Sequence, residues 1–186
     1  MYYLCLMADF KNMIKPFKAV KKEVDNSSQN VPKYVKADGT KVFEEKTPLG
    51  TTVYEISPDC TVICMVYDNS QRLMLDWIRR TNLEIGRSYD EYGKMIYEFN
   101  SLYEKDNTLA KKTEINYEYD DDGNKTKEIK VVTPENLKYE ISYDKEGKVL
   151  QTVEQKGSVK IYYDGNNKPF KKETDRGSGG IITEEL

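Results

Sequence analysis

A six-residue pattern recurs five times along the chain, and no other feature restricts the fold as strongly. The copies read Ile63-x-Met65-x-Tyr67-Asp68, Ile85-x-Arg87-x-Tyr89-Asp90, Ile115-x-Tyr117-x-Tyr119-Asp120, Tyr139-x-Ile141-x-Tyr143-Asp144 and Val159-x-Ile161-x-Tyr163-Asp164. Their last tyrosines lie 22, 30, 24 and 20 residues apart. Apolar residues at every second position put one face of a β-strand on a core and leave the other wet. Tyrosine adds a large ring with a hydroxyl that reaches the rim of the sheet. The aspartate opens a turn by accepting backbone N–H bonds just downstream. Gly93, Gly123 and Gly147 follow Asp90, Asp120 and Asp144 by three residues, the spacing of a type I turn closed by a left-handed residue. After Asp164, Asn167 fills that position. Asp68-Asn69-Ser70-Gln71 lacks the glycine and reads as a degenerate copy.

Return strands suit 94–99, 125–132 and 148–154, and second turns fall near 105–107, 134–136 and 155–158. Two more turns, at 37–40 and 57–59, start the sheet near Lys33. With 15 tyrosines but only 4 alanines and 11 leucines in 186 residues, a helical bundle is disfavoured. The expected fold is mainly β: an antiparallel meander of hairpin repeats over 31–176, forming a curved or twisted sheet. Residues 1–30 are expected to hold a strand and a short amphipathic helix. Phe10, Ile14, Phe17, Val20 and Val24 fall on one helical stripe, lysines lie mostly off it, and Pro16 kinks it. Residues 177–186 read as a flexible tail behind the linker at 176–180, with 181–186 either disordered or docked as a strand.

The unit x-Tyr-x-Tyr-Asp-x-x-Gly, fullest at Tyr117 to Gly123, resembles the RHS/YD repeat of bacterial surface proteins and toxins. The resemblance covers about two-thirds of the chain, residues 52–172. It implies hairpins wound into a spiral or shell of sheet, a surface or secreted address, and, in some members, carbohydrate binding. The residues themselves leave the compartment open. With only five copies here, a single curved sheet is expected rather than a closed shell. A looser likeness is to the tyrosine- and glycine-rich hairpin repeats of some antitoxin-type bacterial proteins.

The composition excludes a good deal of chemistry. No histidine is present, which removes Ser-His-Asp and Cys-His catalysis and imidazole-ligated zinc. No apolar run reaches transmembrane length. Cys5, Cys60 and Cys64 are read as buried reduced thiols, a poor zinc set without histidine. The acidic run Asp120-Asp121-Asp122-Gly123-Asn124 fails as an EF-hand loop, because the twelfth position would be Ile129; it reads as a turn. No catalytic, cofactor-binding or metal-ligating residue is assigned. Residues 1–50 carry a net charge of +3 and the rest −6. Nine lysines with no arginine in that first segment argue against nucleic-acid recognition.

The functional lead is aromatic. Trp77, Tyr92, Tyr97, Tyr103 and Tyr162 are the candidate binding surface, with Tyr139 beside them, because flat rings stack on sugars and anchor protein interfaces. Tyr67, Tyr89, Tyr119, Tyr143 and Tyr163, with Asp90, Gly93, Asp120, Gly123, Asp144 and Gly147, are expected to be structural. The expected function is a non-catalytic binding or structural module for a glycan or protein. The alternative is an immunity- or antitoxin-type inhibitor of one protein. Terminal strands of an open sheet also invite strand addition or homo-oligomer contact.

Overall fold

The computed structural model describes residues 31–47 and 50–186. Fourteen strands follow one another: β1 (Tyr34–Val35), β2 (Lys41–Thr47), β3 (Gly50–Ile56), β4 (Val62–Tyr67), β5 (Leu73–Arg79), β6 (Leu83–Tyr89) and β7 (Met95–Tyr103), then β8 (Leu109–Tyr119), β9 (Lys125–Thr133), β10 (Leu137–Tyr143), β11 (Val149–Lys156), β12 (Val159–Asp164), β13 (Pro169–Asp175) and β14 (Ile181–Glu185). Each pairs antiparallel with its neighbours in sequence, so spatial order is chain order in one open sheet. Among the described residues there is no α-helix. The expected N-terminal helix lies outside them. Of the two states expected for 181–186 within the flexible tail, the structure shows the docked strand: 181–185 pairs with β13 from Lys171↔Glu185 to Asp175↔Ile181.

Turn chemistry fixes the meander. In eight hairpins the first turn residue donates its N–H to the carbonyl four residues on and accepts an N–H from the residue three on. That third residue is left-handed each time: Gly39, Cys60, Gln71, Gly93, Asn107, Gly123, Gly147 and Asn167. The Asp68 turn is therefore not degenerate; Gln71 adopts the same conformation at φ 62° without glycine's freedom. All five Tyr-Asp turns lie on one edge, because each repeat spans two strands and returns the chain to the same side. Just inside each of them the register slips by one residue at the tyrosine, as at Ser88/Tyr89 and Ser142/Tyr143.

Directly paired residues share a face. One row runs Tyr54, Cys64, Trp77, Gly86, Phe99, Glu114 across β3 to β8. Leu75 and Tyr97 lie two positions along on the same side, which we call the tryptophan face. The row Met65, Asp76, Arg87, Glu98, Ile115, Lys130, Tyr139, Glu154, Ile161 runs on the other side. All the alternating positions of the five repeats fall there, and we call it the tyrosine face.

The best-buried cluster belongs to the tryptophan face. Cys64, Leu75, Trp77, Tyr97 and Phe99 pack together, with Tyr54, Val62 and Val66 against them. Gly86 makes room for the Phe99 ring between Trp77 and β7. Beyond β7 the same face becomes mixed, with Glu114, Lys138, Lys160 and Glu173 set among Ile129 and Val131 of β9 and Val153 of β11, and Val132, on the opposite face, is the last described hydrophobic residue that is buried. From there on, cross-strand pairs and aliphatic lysine stems do the covering.

Candidate functional site

The structure does not gather the five expected surface aromatics into one patch. Trp77 and Tyr97 are corrected from surface to core: they are 4% and 8% exposed. The Trp77 indole N–H donates to Glu84 Oε1 at 3.0 Å, and the Tyr97 hydroxyl donates to Glu114 Oε1 at 2.6 Å. Tyr103 is half-buried on the same face and donates to the other Glu84 oxygen at 2.6 Å. Glu84 thus ties Trp77 to Tyr103 across three strands. Burial, reinforced by Glu84, pushes the Tyr103 phenol up to about 12. Tyr162 sits on this face seven strands from Trp77, about 33 Å away at sheet spacing. Lys171 lies 3.8 Å above its ring and Glu173 takes its proton donor at 2.6 Å. Tyr92 projects from the β6–β7 turn and is 79% exposed.

The tyrosines expected to be structural line up instead. Tyr67, Tyr89, Tyr117, Tyr119, Tyr139, Tyr143 and Tyr163 all lie on the tyrosine face, from β4 to β12, and all are half-buried. Strand alternation puts them there: each even strand turns its repeat positions the same way. Several of their hydroxyls are bound. Tyr89 donates to Asp76 at 2.9 Å, Tyr117 to Glu98 at 3.2 Å, Tyr143 to Glu128 at 3.1 Å and Tyr119 to the Met95 carbonyl at 2.8 Å. Lysines from neighbouring strands lie over the rings. Lys125 Nζ is 4.1 Å from the Tyr143 centroid and 5.7 Å from that of Tyr117, and Lys94 Nζ is 5.4 Å from that of Tyr119. Burial, then the neighbouring carboxylates, raises the phenols of Tyr89 and Tyr117. Tyr89 and Tyr117 therefore stay neutral over the physiological range.

A shallow recess lies where this face meets the Tyr-Asp edge, lined by Arg72, Leu73, Tyr89, Glu91, Tyr92 and Gly93. Arg72 is committed there, with Nη2 2.7 Å from the Asp68 carboxylate and Nη1 2.7 Å from the Glu91 carbonyl. The turn aspartates are committed too. Asp90, Asp144 and Asp164 each accept N–H bonds from the residues two and four on through Oδ1. The Asn124 side-chain amide and backbone N–H hold the Asp120 carboxyl below the usual carboxylate range. Of the cysteines, Cys64 is buried as expected, whereas Cys60 is exposed in a turn.

The turns expected at 37–40, 57–59 and 105–107 form on the opposite edge, and they share a signal that sequence reasoning did not single out. Asp38-Gly39-Thr40, Asp59-Cys60-Thr61 and Asp106-Asn107-Thr108 share Asp-x-Thr, with the threonine N–H bonded to aspartate Oδ1 at 2.9, 3.0 and 2.9 Å. A search of the whole chain for that tripeptide would have shown the shared signal. The chain matches no protein-family model, and no curated protein matches it.

Proposed function

We propose that the chain is a non-catalytic binding module whose tyrosine face takes a protein partner. The observation that carries this reading is the alignment of seven half-buried tyrosines on one sheet face. Rigid aromatic rings supply contact area at low entropic cost, which is why tyrosine concentrates at interfaces. The lysines and carboxylates set between them favour a protein over a sugar, because sugar stacking needs a bare ring face and several rings here already carry a lysine. A bulge at each repeat tyrosine deepens the twist and gives the face a curved, directional surface. The outer edge of β14 offers the same partner a place for strand addition. Inhibition of one protein is the narrower form of this reading.

The test is affinity capture with three full-length chains: wild type, Tyr139→Ser/Tyr163→Ser on the tyrosine face, and Lys138→Ser/Lys160→Ser on the opposite face. A stoichiometric protein retained by wild type and the lysine variant, and lost by the tyrosine variant, supports the reading. A protein held equally by all three overturns it. Retention on polysaccharide alone replaces the protein partner with a glycan.

A further inference from the structure

A small site recurs along the Tyr-Asp edge, and in three of its copies the chain supplies a lysine of its own. Beside Tyr67, the tyrosine and the residues two and four positions on, Asn69 and Gln71, line a shallow recess together with Lys46. In the third copy Lys94 Nζ lies 5.4 Å from the Tyr119 ring centroid and against Gly123, where a Cβ would stand 1.8 Å from it. In the fourth, Lys125 Nζ lies 4.1 Å from the Tyr143 centroid. Lys94 and Lys125 stand at the head of the odd strand just before, four residues after Asp90 and five after Asp120. The negative face of an aromatic ring attracts an ammonium placed over it.

The second copy, beside Tyr89, is the exception. Tyr89, Glu91 and Gly93 line its recess as Tyr67, Asn69 and Gln71 line the first, but the residues four and five after Asp68 are Arg72 and Leu73. Arg72 is tied to the Asp68 carboxylate and to the Glu91 carbonyl, each at 2.7 Å, and Lys94 leans away to Tyr119. Among the described residues no cation lies over the Tyr89 ring, and none pairs with the Glu91 carboxylate. A Cβ at Gly93 would meet nothing within 4 Å. Leu73 and the exposed ring of Tyr92 add apolar walls. Around them the carboxylates of Asp68, Asp90 and Glu91 outnumber the one guanidinium of Arg72. The recess is apolar inside, acidic at its rim and open.

Resting on the reading that the tyrosine face takes a protein partner, we propose that the recess at Tyr89 receives a lysine side chain of that partner. Its aliphatic stem lies on Leu73 and Tyr92, and its ammonium sits between the Tyr89 ring and the Glu91 carboxylate. A lysine suits such a site because its stem covers apolar surface while its head stays among polar groups. The partner's lysine then does at the second copy what Lys94 and Lys125 do at the third and fourth. The recess fixes where along the face the partner's basic residue falls, at the β6–β7 turn.

The test titrates the full chain, labelled with nitrogen-15, with a short blocked peptide holding one lysine among glycines, and with the same peptide holding norleucine instead. The lysine peptide should move the amide resonances of Tyr89 to Lys94, and the norleucine peptide should not. Glu91→Gln and Tyr92→Ser change exposed turn residues and leave the ladder intact; each should weaken binding about three-fold or more. Leu73→Lys, which copies Lys125 of β9, should fill the recess from within and abolish binding. Equal shifts from both peptides, shifts centred elsewhere, no shift at millimolar peptide, or binding untouched by all three variants refutes the proposal. A partner captured through Tyr139 and Tyr163 while these amides stay unmoved would keep the wider reading and remove this site. Amides moved by the lysine peptide, with every captured protein indifferent to Tyr139 and Tyr163, would keep the lysine site and remove the wider reading.

Discussion

Gly86→Ala gives the sharpest test of how the tryptophan face is packed. Glycine in a strand interior ordinarily costs about 0.5–1 kcal/mol relative to alanine, so the replacement should stabilise an average strand. Here a Cβ on residue 86 would stand 2.3 Å from Phe99 Cε1 and 2.8 Å from Cζ, against an ordinary contact of 3.4–4 Å. The ring would have to retreat by about 1 Å, and at 4% exposure it has no free space to enter. Overpacking of this kind costs roughly 1–3 kcal/mol. The propensity gain offsets part of that, so the expected net effect is a loss of about 0.5–2 kcal/mol. Phe99→Leu removes the obstructing ring atoms. In that background Gly86→Ala should be neutral or stabilising, a coupling of about 1–2 kcal/mol between the two sites. Urea unfolding followed by Trp77 emission is the right assay, because Trp77 pairs directly with Gly86 and reports this part of the sheet. If Gly86→Ala is stabilising in the wild-type background, or the coupling is absent, the assigned packing of Phe99 over Gly86 is wrong.

The turns make paired predictions. Gly147 has φ 79° with open space where a Cβ would go, so Gly147→Ala should cost about 1–2 kcal/mol from backbone strain alone. Gln71→Gly, at the matching position of the first copy, should gain about 0.5–1 kcal/mol by the same measurement of urea midpoint. Acid should unfold the sheet through the turn carboxylates. Backbone N–H bonds, that of Arg72 first, hold the Asp68 carboxyl low, and Asn124 does so for Asp120. A depressed folded pKa contributes stability that is present above the unfolded value of about 3.9 and lost as pH falls through the folded one. The midpoint should thus fall below about pH 4, and less steeply in Asp68→Asn/Asp120→Asn; equal midpoints at pH 3 and pH 7 would refute this. In a Cys5→Ser chain a thiol reagent should find Cys60 at once. Cys64, whose thiol burial pushes up to about 12, should react only in denaturant.

The backbone was legible because each local signal in this chain has a mechanical meaning. Period-two alternation ending in Tyr-Asp, with glycine three residues on, predicted strand, turn and return at Asp90, Asp120 and Asp144, and all three form. Gln71 was illegible because glutamine carries no preference for the left-handed region; the ladder on either side of the turn imposes it. The faces were harder. Alternation says that Ile115, Tyr117 and Tyr119 point the same way, but not which way the odd strands turn their own apolar residues. Leu75, Trp77, Tyr97 and Phe99 lie on odd strands, outside the repeat, so their clustering emerges only from cross-strand register. That is why Trp77 read as an exposed anchor and proved to be core.

The same register explains why the sheet can have two unlike faces over its first half while every repeat tyrosine stays on one side. A repeat of two strands places every Tyr-Asp turn on one edge and every repeat tyrosine on one side, whatever lies between. The odd strands are then free to diverge. In β5 and β7 they carry Trp77 and Phe99. In β9 and β11 they set Lys127 and Gln155 beside Ile129, Val131 and Val153 on the tryptophan face, and in β13 they set Glu173 there. Among the described residues the main contacts run from each strand to the next, so the sheet's stability is close to a sum of neighbour terms, as in other linear repeats. A change at Gly86 should therefore leave the β10–β13 ladder intact, and hydrogen exchange should show protection lost in β5 to β7 while the amides of Tyr139 to Tyr143 stay protected.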